Sequence, residues 1–377
     1  MLLVAVFLVT RGHGVSVSHG GKNSKTRENE KIATCGRFWY NAAEVRIMSN
    51  VTYLETGSTD PAYNLAFEEY VLTHRTQGDY LLLWQNDNTI VVGQNQNTAQ
   101  EIDPAFVKEH HITVVRRGTG GGAVYHDLGN LNYSFITDTG AAERLTMDRF
   151  TRPIVEALQN LDLNAEASGR NDILVEGRKV SGTAQRLVHG RILHHGTLLF
   201  DSRPEMIAGA LRVDQAKFTS KSAKSVKSRI GNIREFLPAD MTLPEFWEYL
   251  KRQLAGTGLV QSALTADELA QVSRLADEKY RTWEWTYGRS PKFDMVKRNY
   301  FTGGRLEVGV SVDHGSITEI RFYGDFLSLT DTTPLCRALE GVAYREDAVA
   351  AVLDSQPMAE MFGGITRDEV LRTIFNQ

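Results

Sequence analysis

Twelve consecutive residues, Arg116-Arg117-Gly118-Thr119-Gly120-Gly121-Gly122-Ala123-Val124-Tyr125-His126-Asp127, concentrate groups that handle anions. Four glycines in five positions let the backbone take positive φ and bring its N–H groups close to a ligand. The two arginines add fixed positive charge suited to phosphate or carboxylate. In alternating strand geometry Arg116 and Arg117 point to opposite faces, so one ligand group meets one of them. A flexible glycine hairpin with solvated arginines fits the same residues and stays open at this level.

Two nucleotide-binding arrangements fail here. Gly118 to Ala123 formally match G-x-G-x-x-A, but a dinucleotide loop opens a helix, whereas AVYHD, the turn Leu128-Gly129-Asn130 and LNYSFIT read as strands. The loop also lacks the G-x-x-x-x-G-K-[ST] cradle of a P-loop enzyme.

A second stretch, SGRNDILVEGRKVSGTAQR at 168–186, reads as a hairpin turning at Glu176-Gly177, with Asn171 and Asp172 on one strand and Lys179 on the other. A lone lysine is ordinarily a solvated surface group. In this company Asn171 and Asp172 can hold a ribose, an amide or Mg²⁺, Lys179 can neutralise carboxylate and phosphate, and Ser181-Gly182-Thr183 adds small donors. A third stretch, HHGTLLF, enters a strand through His194 and His195, a pair that fits packing as readily as chemistry.

The flanking elements must position these groups. VTYLE predicts a strand, and Asp60-Pro61 predicts a helix start ahead of Tyr63, Phe67, Tyr70 and Val71 at helical spacing. YLLLWQN and TIVVGQNQN, separated by Asp87 and Asn88, predict a hairpin. Asp103-Pro104 starts a short helix, and ITVVRR is a strand that delivers the glycine loop. Helices capped by Thr242 and Thr265 follow, then the connector TWEWTYGRSPKFD. The strands GRLEVGVSVDHG and SITEIRFYGDF and two helices, TTPLCRALEG and REDAVAAVL, make a small C-terminal α/β domain.

With 42% hydrophobic and 23% charged residues the chain can bury a core in two domains. The formal charge of −4 gives no overall attraction to nucleic acid or an anionic membrane. Five basic residues, Lys217, Lys221, Lys224, Lys227 and Arg229, lie within 13 positions and read as a solvated run or as a loop for an acidic partner. Two cysteines, Cys35 and Cys336, make neither a disulfide framework nor a zinc cluster and fit a reducing, cytoplasmic setting. The apolar MLLVAVFLVT is shorter than the roughly 20 residues of a spanning helix. No Lys or Arg precedes it as in a signal peptide. Residues 1–47 are expected outside the fold, with Met48 an alternative start.

RRGTGGGAVYHDLGN, SGRNDILVEGRKVSGTAQR, HHGTLLF and KFTSKSAKSVKSRIGNI, in this order, resemble the lipoate-protein ligase family from about residue 50 onward, with Thr119 where serine is usual. The resemblance implies a mixed-sheet α/β catalytic domain of the biotin and lipoate ligase type at 48–287 and an accessory domain at 292–377. It implies that lipoate and ATP form lipoyl-AMP and that the acyl group passes to a lysine of a lipoyl domain, on a dehydrogenase E2 subunit or a glycine-cleavage H protein. Lys179 would be the catalytic residue. Arg116, Arg117, Gly121, Gly122, Ala123, Val124, Tyr125, Asn171, Asp172 and Ser181 would line the adenylate, and His195 with Lys179 would meet lipoate. Mg²⁺ would offset the triphosphate charge, held mostly by phosphates and water. An octanoyl or lipoyl transferase needs a cysteine nucleophile, and none stands between 36 and 335. A biotin ligase and a noncatalytic lipoyl-domain binder are the further alternatives.

Overall fold

The computed structural model describes residues 51–139, 147–211, 229–255, 258–288 and 293–375. The expectations for residues 1–47 and for the lysines at 217–227 fall outside them.

Among the described residues eleven strands precede the connector: β1 (Val51–Glu55), β2 (Asp79–Trp84), β3 (Thr89–Val92), β4 (Thr113–Arg116), β5 (Val124–His126), β6 (Asn130–Asp138), β7 (Ala165–Ser168), β8 (Asp172–Val175), β9 (Arg178–Val188), β10 (Arg191–Leu199) and β11 (Val260–Gln261). Eight of them form a mixed sheet, β11-β1-β2-β6-β10-β9-β8-β7, parallel across β11-β1-β2 and antiparallel beyond. The order β4-β3-β5 makes a second sheet.

Alternation along the strands divides the core. Leu81 and Leu83 of β2 join Phe150 and Ile154 of the helix Met147–Gln159 and Phe246 and Leu250 of the helix Leu243–Ala255. Leu82 and Trp84 face the helices Pro61–His74 and Ala266–Leu275 instead. The first of these starts as its sequence predicts, with Pro61 in the first turn and Asp60 Oδ1 accepting from the amides of Ala62 and Tyr63 at 3.0 and 3.5 Å.

The hairpin expected across Asp87-Asn88 does not form. β2 pairs with β1 and β6, while β3 enters the second sheet between β4 and β5. Asn88, at φ 40°, turns the chain there, and its side-chain amide donates to the carbonyls of His110 and His111 at 2.9 and 3.2 Å. That ties β3 to the chain entering β4 rather than back to β2.

After the connector come β12 (Met295–Phe301), β13 (Gly304–Asp313) and β14 (Ser316–Gly324), an antiparallel sheet. Leu306, Val308 and Val310 of β13 pack with Leu335, Cys336 and Leu339 of the helix Thr333–Leu339, Val349 and Leu353 of Glu346–Asp354, and Val370 and Ile374 of Arg367–Phe375. β12 and the last helix were not foreseen. The fold class is the expected mixed-sheet α/β architecture with a smaller C-terminal α/β unit.

Candidate active site

The glycine loop crosses from β4 to β5 and faces the β8-β9 hairpin and β10. Together they enclose a cleft of about 630 Å³ when its solvent-open mouth is included. One end is polar, with Arg117, Gly121, Gly122, Asn171 and Lys179. The other is mainly apolar, with Leu65, Trp84 and Val124, while Val91 lies between the two, its carbonyl 3.2 Å from Arg117 Nη1.

Lys179 reaches the cleft through two local features. Glu176 and Gly177 take φ 50° and 73°, the paired positive values of a tight hairpin turn. The register then slips, pairing Leu174 with Lys179 but Ile173 with Ser181. The extra residue, Val180, breaks the strict alternation, so Lys179 and Gly182 come onto one face although three apart. A Cβ on Gly182 would sit 3.2 Å from Lys179 Nζ; the missing side chain makes room for the ammonium. Lys179 Nζ pairs with Asp172 Oδ1 at 2.7 Å, both partly exposed. Asn171, beside them, donates from Nδ2 to Thr183 O at 2.7 Å.

The arginines divide as strand alternation predicts. Arg117 lines the cleft, with Nη2 donating to Gly120 O and Gly122 O at 2.6 and 2.9 Å and Nε to Thr119 Oγ1 at 2.9 Å. Burial pulls its pKa down to about 10, which leaves it charged at neutral pH. Arg116 is corrected: fully buried, it turns away and donates to the carbonyls of Gly93, Gln94, Gln96, Trp285 and Thr286. Trp285 Nε1 returns a bond to Arg116 O at 2.8 Å, so Arg116 is a strut between loop and connector. The side chains of Tyr125 and Ser181 likewise turn off the cleft wall, which leaves the backbone of Gly122 to Tyr125 as the expected contact. The Tyr125 hydroxyl donates to Asn88 Oδ1 at 2.8 Å and accepts from Arg203, and Ser181 is buried off the cleft wall. In each case the side chain lies on the strand face opposite its cleft-lining neighbours.

Of the loop glycines, Gly121 alone has positive φ, +90°. Its amide donates to Phe326 O at 3.1 Å, and a Cβ on Gly120 would approach that same oxygen to 2.8 Å. The C-terminal segment after β14 therefore closes directly on the loop. Asn95 and Gln94 reinforce it, donating to Ser328 Oγ and Asp331 Oδ2 at 3.2 and 2.5 Å.

His195 lines the cleft within a buried chain of polar groups. Its Nε2 lies 2.8 Å from Thr119 Oγ1 and its Nδ1 2.9 Å from Glu68 Oε1. Glu68 Oε1 also accepts from Ser134 Oγ at 2.6 Å, and Ser134 Oγ from Trp84 Nε1 at 2.9 Å. Glu68, Trp84 and His126 were not foreseen in the site. An available signal was Glu68 on the buried face of its helix, between Leu65 and Leu72.

Cys336 packs in the C-terminal core, where burial pushes its thiol up to about 11, and it does not line the cleft. Among the described residues no three His, Cys, Asp or Glu side chains converge as a metal site. Asp172 can offer a single carboxylate at the polar end, which suits a cation coordinated chiefly by phosphate and water.

A cleft that sets cationic groups and loop amides against an apolar channel, on a mixed-sheet α/β core, defines a site for an amphipathic acid beside a second anion. The chain belongs to the lipoate-protein ligase family: residues 60–255 match the lipoyl protein ligase A/B catalytic domain and 290–374 the bacterial lipoate protein ligase C-terminus. It is 41% identical over 321 residues to the lipoate-protein ligase LplJ of Bacillus subtilis, covering 84% of this chain and 97% of that protein. It is equally 41% identical to lipoate-protein ligase 1 of Staphylococcus aureus over 316 residues, 83% of this chain and 96% of that protein. Among solved structures, lipoate-protein ligase A bound with ATP superposes with a TM-score of 0.55 at 26% identity, covering 64% of this chain and 99% of that one. P. falciparum LipL1 in complex with lipoate shares the fold, with a TM-score of 0.72 at 23% identity over 87% of this chain and all of that one.

Proposed function

We propose that this chain activates lipoate with ATP and transfers the lipoyl group to a lysine of a lipoyl domain. The observation that carries the reading is Lys179 standing with Arg117 and the glycine loop at the polar end of a cleft whose other end is apolar. The acid's chain lies along Leu65 and Trp84 with its carboxylate at Lys179. A carboxylate oxygen attacks the α-phosphate, the bond to pyrophosphate breaks, and lipoyl-AMP forms. Two anions meet in that step, so fixed positive charge lowers the barrier. Lys179 exchanges its bond to Asp172 for the carboxylate and α-phosphate, Arg117 holds the loop from Gly120 to Gly122 in shape, and Asn171 and Asp172 meet the nucleotide. Asp172 would help hold Mg²⁺, which would offset the triphosphate charge. The acceptor's lysine amine then attacks the acyl carbonyl, an amide forms and AMP leaves.

Relatives named for lipoate ligation and a neighbour solved with ATP support the reading. Among the described residues no cysteine stands on the cleft wall, which argues against a thioester route. We further propose that residues 48–287 carry catalysis and 292–377 act as a lid, that acceptors are E2 subunits or an H protein, and that the chain works in the cytoplasm. No helix among the described residues is long and apolar enough to cross a membrane. The test is acceptor mass: a lipoyl domain incubated with the chain should gain one lipoyl group only when lipoate and ATP are both present. ATP-independent transfer from an acyl thioester would assign an acyltransferase instead.

A further inference from the structure

The apolar end of the cleft contains a polar atom that no group among the described residues satisfies. His126 is 97% buried, since only 3% of its surface is exposed, and its ring lines the cleft edge-on to Trp84 with centroids 6.5 Å apart. Its Nδ1 lies 3.1 Å from Asn86 Nδ2, and its Nε2 has no partner among the described residues.

The proton's position on that ring follows from two asparagines further out. Asn64 Nδ2 faces the carbonyl oxygens of Ser58 and Gln85 at 3.0 and 2.7 Å, so it is the nitrogen of its amide. The same nitrogen, whose two protons are shared among three oxygens, lies 3.0 Å from Asn86 Oδ1; an amide oxygen rather than a second NH2 faces it, which turns Asn86 Nδ2 toward His126. Nδ1 of His126 must then accept, and the ring's proton sits on Nε2. Burial, with lesser electrostatic contributions from neighbouring Arg117 and His195, pulls the ring's pKa down to about 3, so it stays neutral near pH 7.

Asn132 adds a second group of this kind. Its Oδ1 accepts from Asn130 Nδ2 at 3.0 Å and its own Nδ2 has no partner among the described residues, although the residue lines the cleft and is 2% exposed. Cross-strand register sets Asn132 opposite both Thr197 of β10 and Trp84 of β2. Thr197 accepts from the Gly182 amide at 3.3 Å, beside Lys179. The row Thr197, Asn132, Trp84 thus runs across the sheet away from the carboxylate end, and His126 stands beside its far member.

A site whose buried donors one ligand meets and another strands discriminates against the second. Resting on the lipoate-ligase reading, we propose that His126 Nε2–H, with the Asn132 amide behind it, is the specificity determinant for the far end of the acyl chain. It favours a chain that carries an acceptor there, such as the dithiolane sulfurs of lipoate, over the plain hydrocarbon of octanoate. Sulfur accepts weakly and contacts aromatic rings favourably, so His126 and Trp84 act on the same group.

The test is ATP–pyrophosphate exchange by the full chain with lipoate and with octanoate, for wild type, His126→Phe and His126→Gln. Wild type should favour lipoate in kcat/KM by roughly tenfold. His126→Phe, a ring without the donor, should collapse that ratio, and His126→Gln, which keeps an N–H, should retain most of it. Both acids falling in proportion in His126→Phe would mark a purely structural role and overturn the proposal. Wild type without exchange on either acid would overturn the ligase reading itself, a distinct failure. A second readout needs no substitution: in protein carrying ¹⁵N-histidine, the His126 Nε2–H resonance should move with lipoate and hold still with octanoate. Equal movement with both acids would overturn the assignment.

Discussion

At Lys179 the ammonium lies over the bare backbone of Gly182 and against Asp172. A methyl at 182 would contact the end of a flexible side chain, so Gly182→Ala should fold normally while displacing Nζ by a few tenths of an ångström. We expect exchange activity to fall about tenfold with an unchanged melting temperature, since small misplacements of a charge-stabilising group are costly. Wild-type activity in Gly182→Ala would show that the ammonium's position matters less than argued. Gly93 is the opposite case. A Cβ there would lie 2.1 Å from the carbonyl oxygen of Gly121, where backbone must move, so Gly93→Ala should lose stability and activity together. An unaltered melting temperature in that variant would contradict the close packing of the loop.

Elements explain why two adjacent arginines do different work. β4 turns Arg117 to the cleft and Arg116 into the gap between the loop and the segment Trp283–Thr286, where five carbonyls depend on it. Arg116→Ala should cost at least about 3 kcal/mol, because it strands several buried acceptors at once. Urea unfolding reads this as a lower midpoint with a similar slope; a wild-type midpoint would contradict the strut. That the two arginines separate was legible from strand alternation, but which one faces the ligand was not, because the connector that claims Arg116 lies about 170 residues downstream. The β8-β9 hairpin was legible because Glu176-Gly177 is local turn chemistry. The bulge that re-aims Lys179 was hidden, since it depends on pairing with Ile173 and Leu174. The hairpin expected at Asp87-Asn88 failed because partners far along the chain chose different sheets for β2 and β3. Glu68 and Trp84 read as ordinary members of a helix and a strand until folding joined them to His195 through Ser134.

Across the whole molecule, two buried histidines set the acid limit. His126 and His194 titrate near 3 in the folded state, burial being the main cause, against an ordinary value of 6.5. The unfolded chain therefore binds more protons between those values, and the stability present above pH 6.5 is lost as pH falls toward 3. Each ring steepens that loss by up to about 1.4 kcal/mol per pH unit. Urea midpoints should drop between pH 7 and 5, and an unchanged midpoint would mean that the rings are not held neutral. The C-terminal segment supplies a second global expectation. Because Gly121 N–H already donates to Phe326 O, a phosphate taking that amide must displace the segment. Amide exchange around residues 324–329 should rise when ATP and lipoate are added together; unaltered protection would place the phosphate elsewhere on the loop. The central claim, activation of lipoate at Lys179, is tested most directly by ATP–pyrophosphate exchange with lipoate, octanoate and biotin on wild type and Lys179→Ala. The account predicts exchange that requires an acid, runs best with lipoate and falls by at least about a hundredfold in Lys179→Ala. Exchange that proceeds without lipoate, or that survives the loss of Lys179, would contradict it.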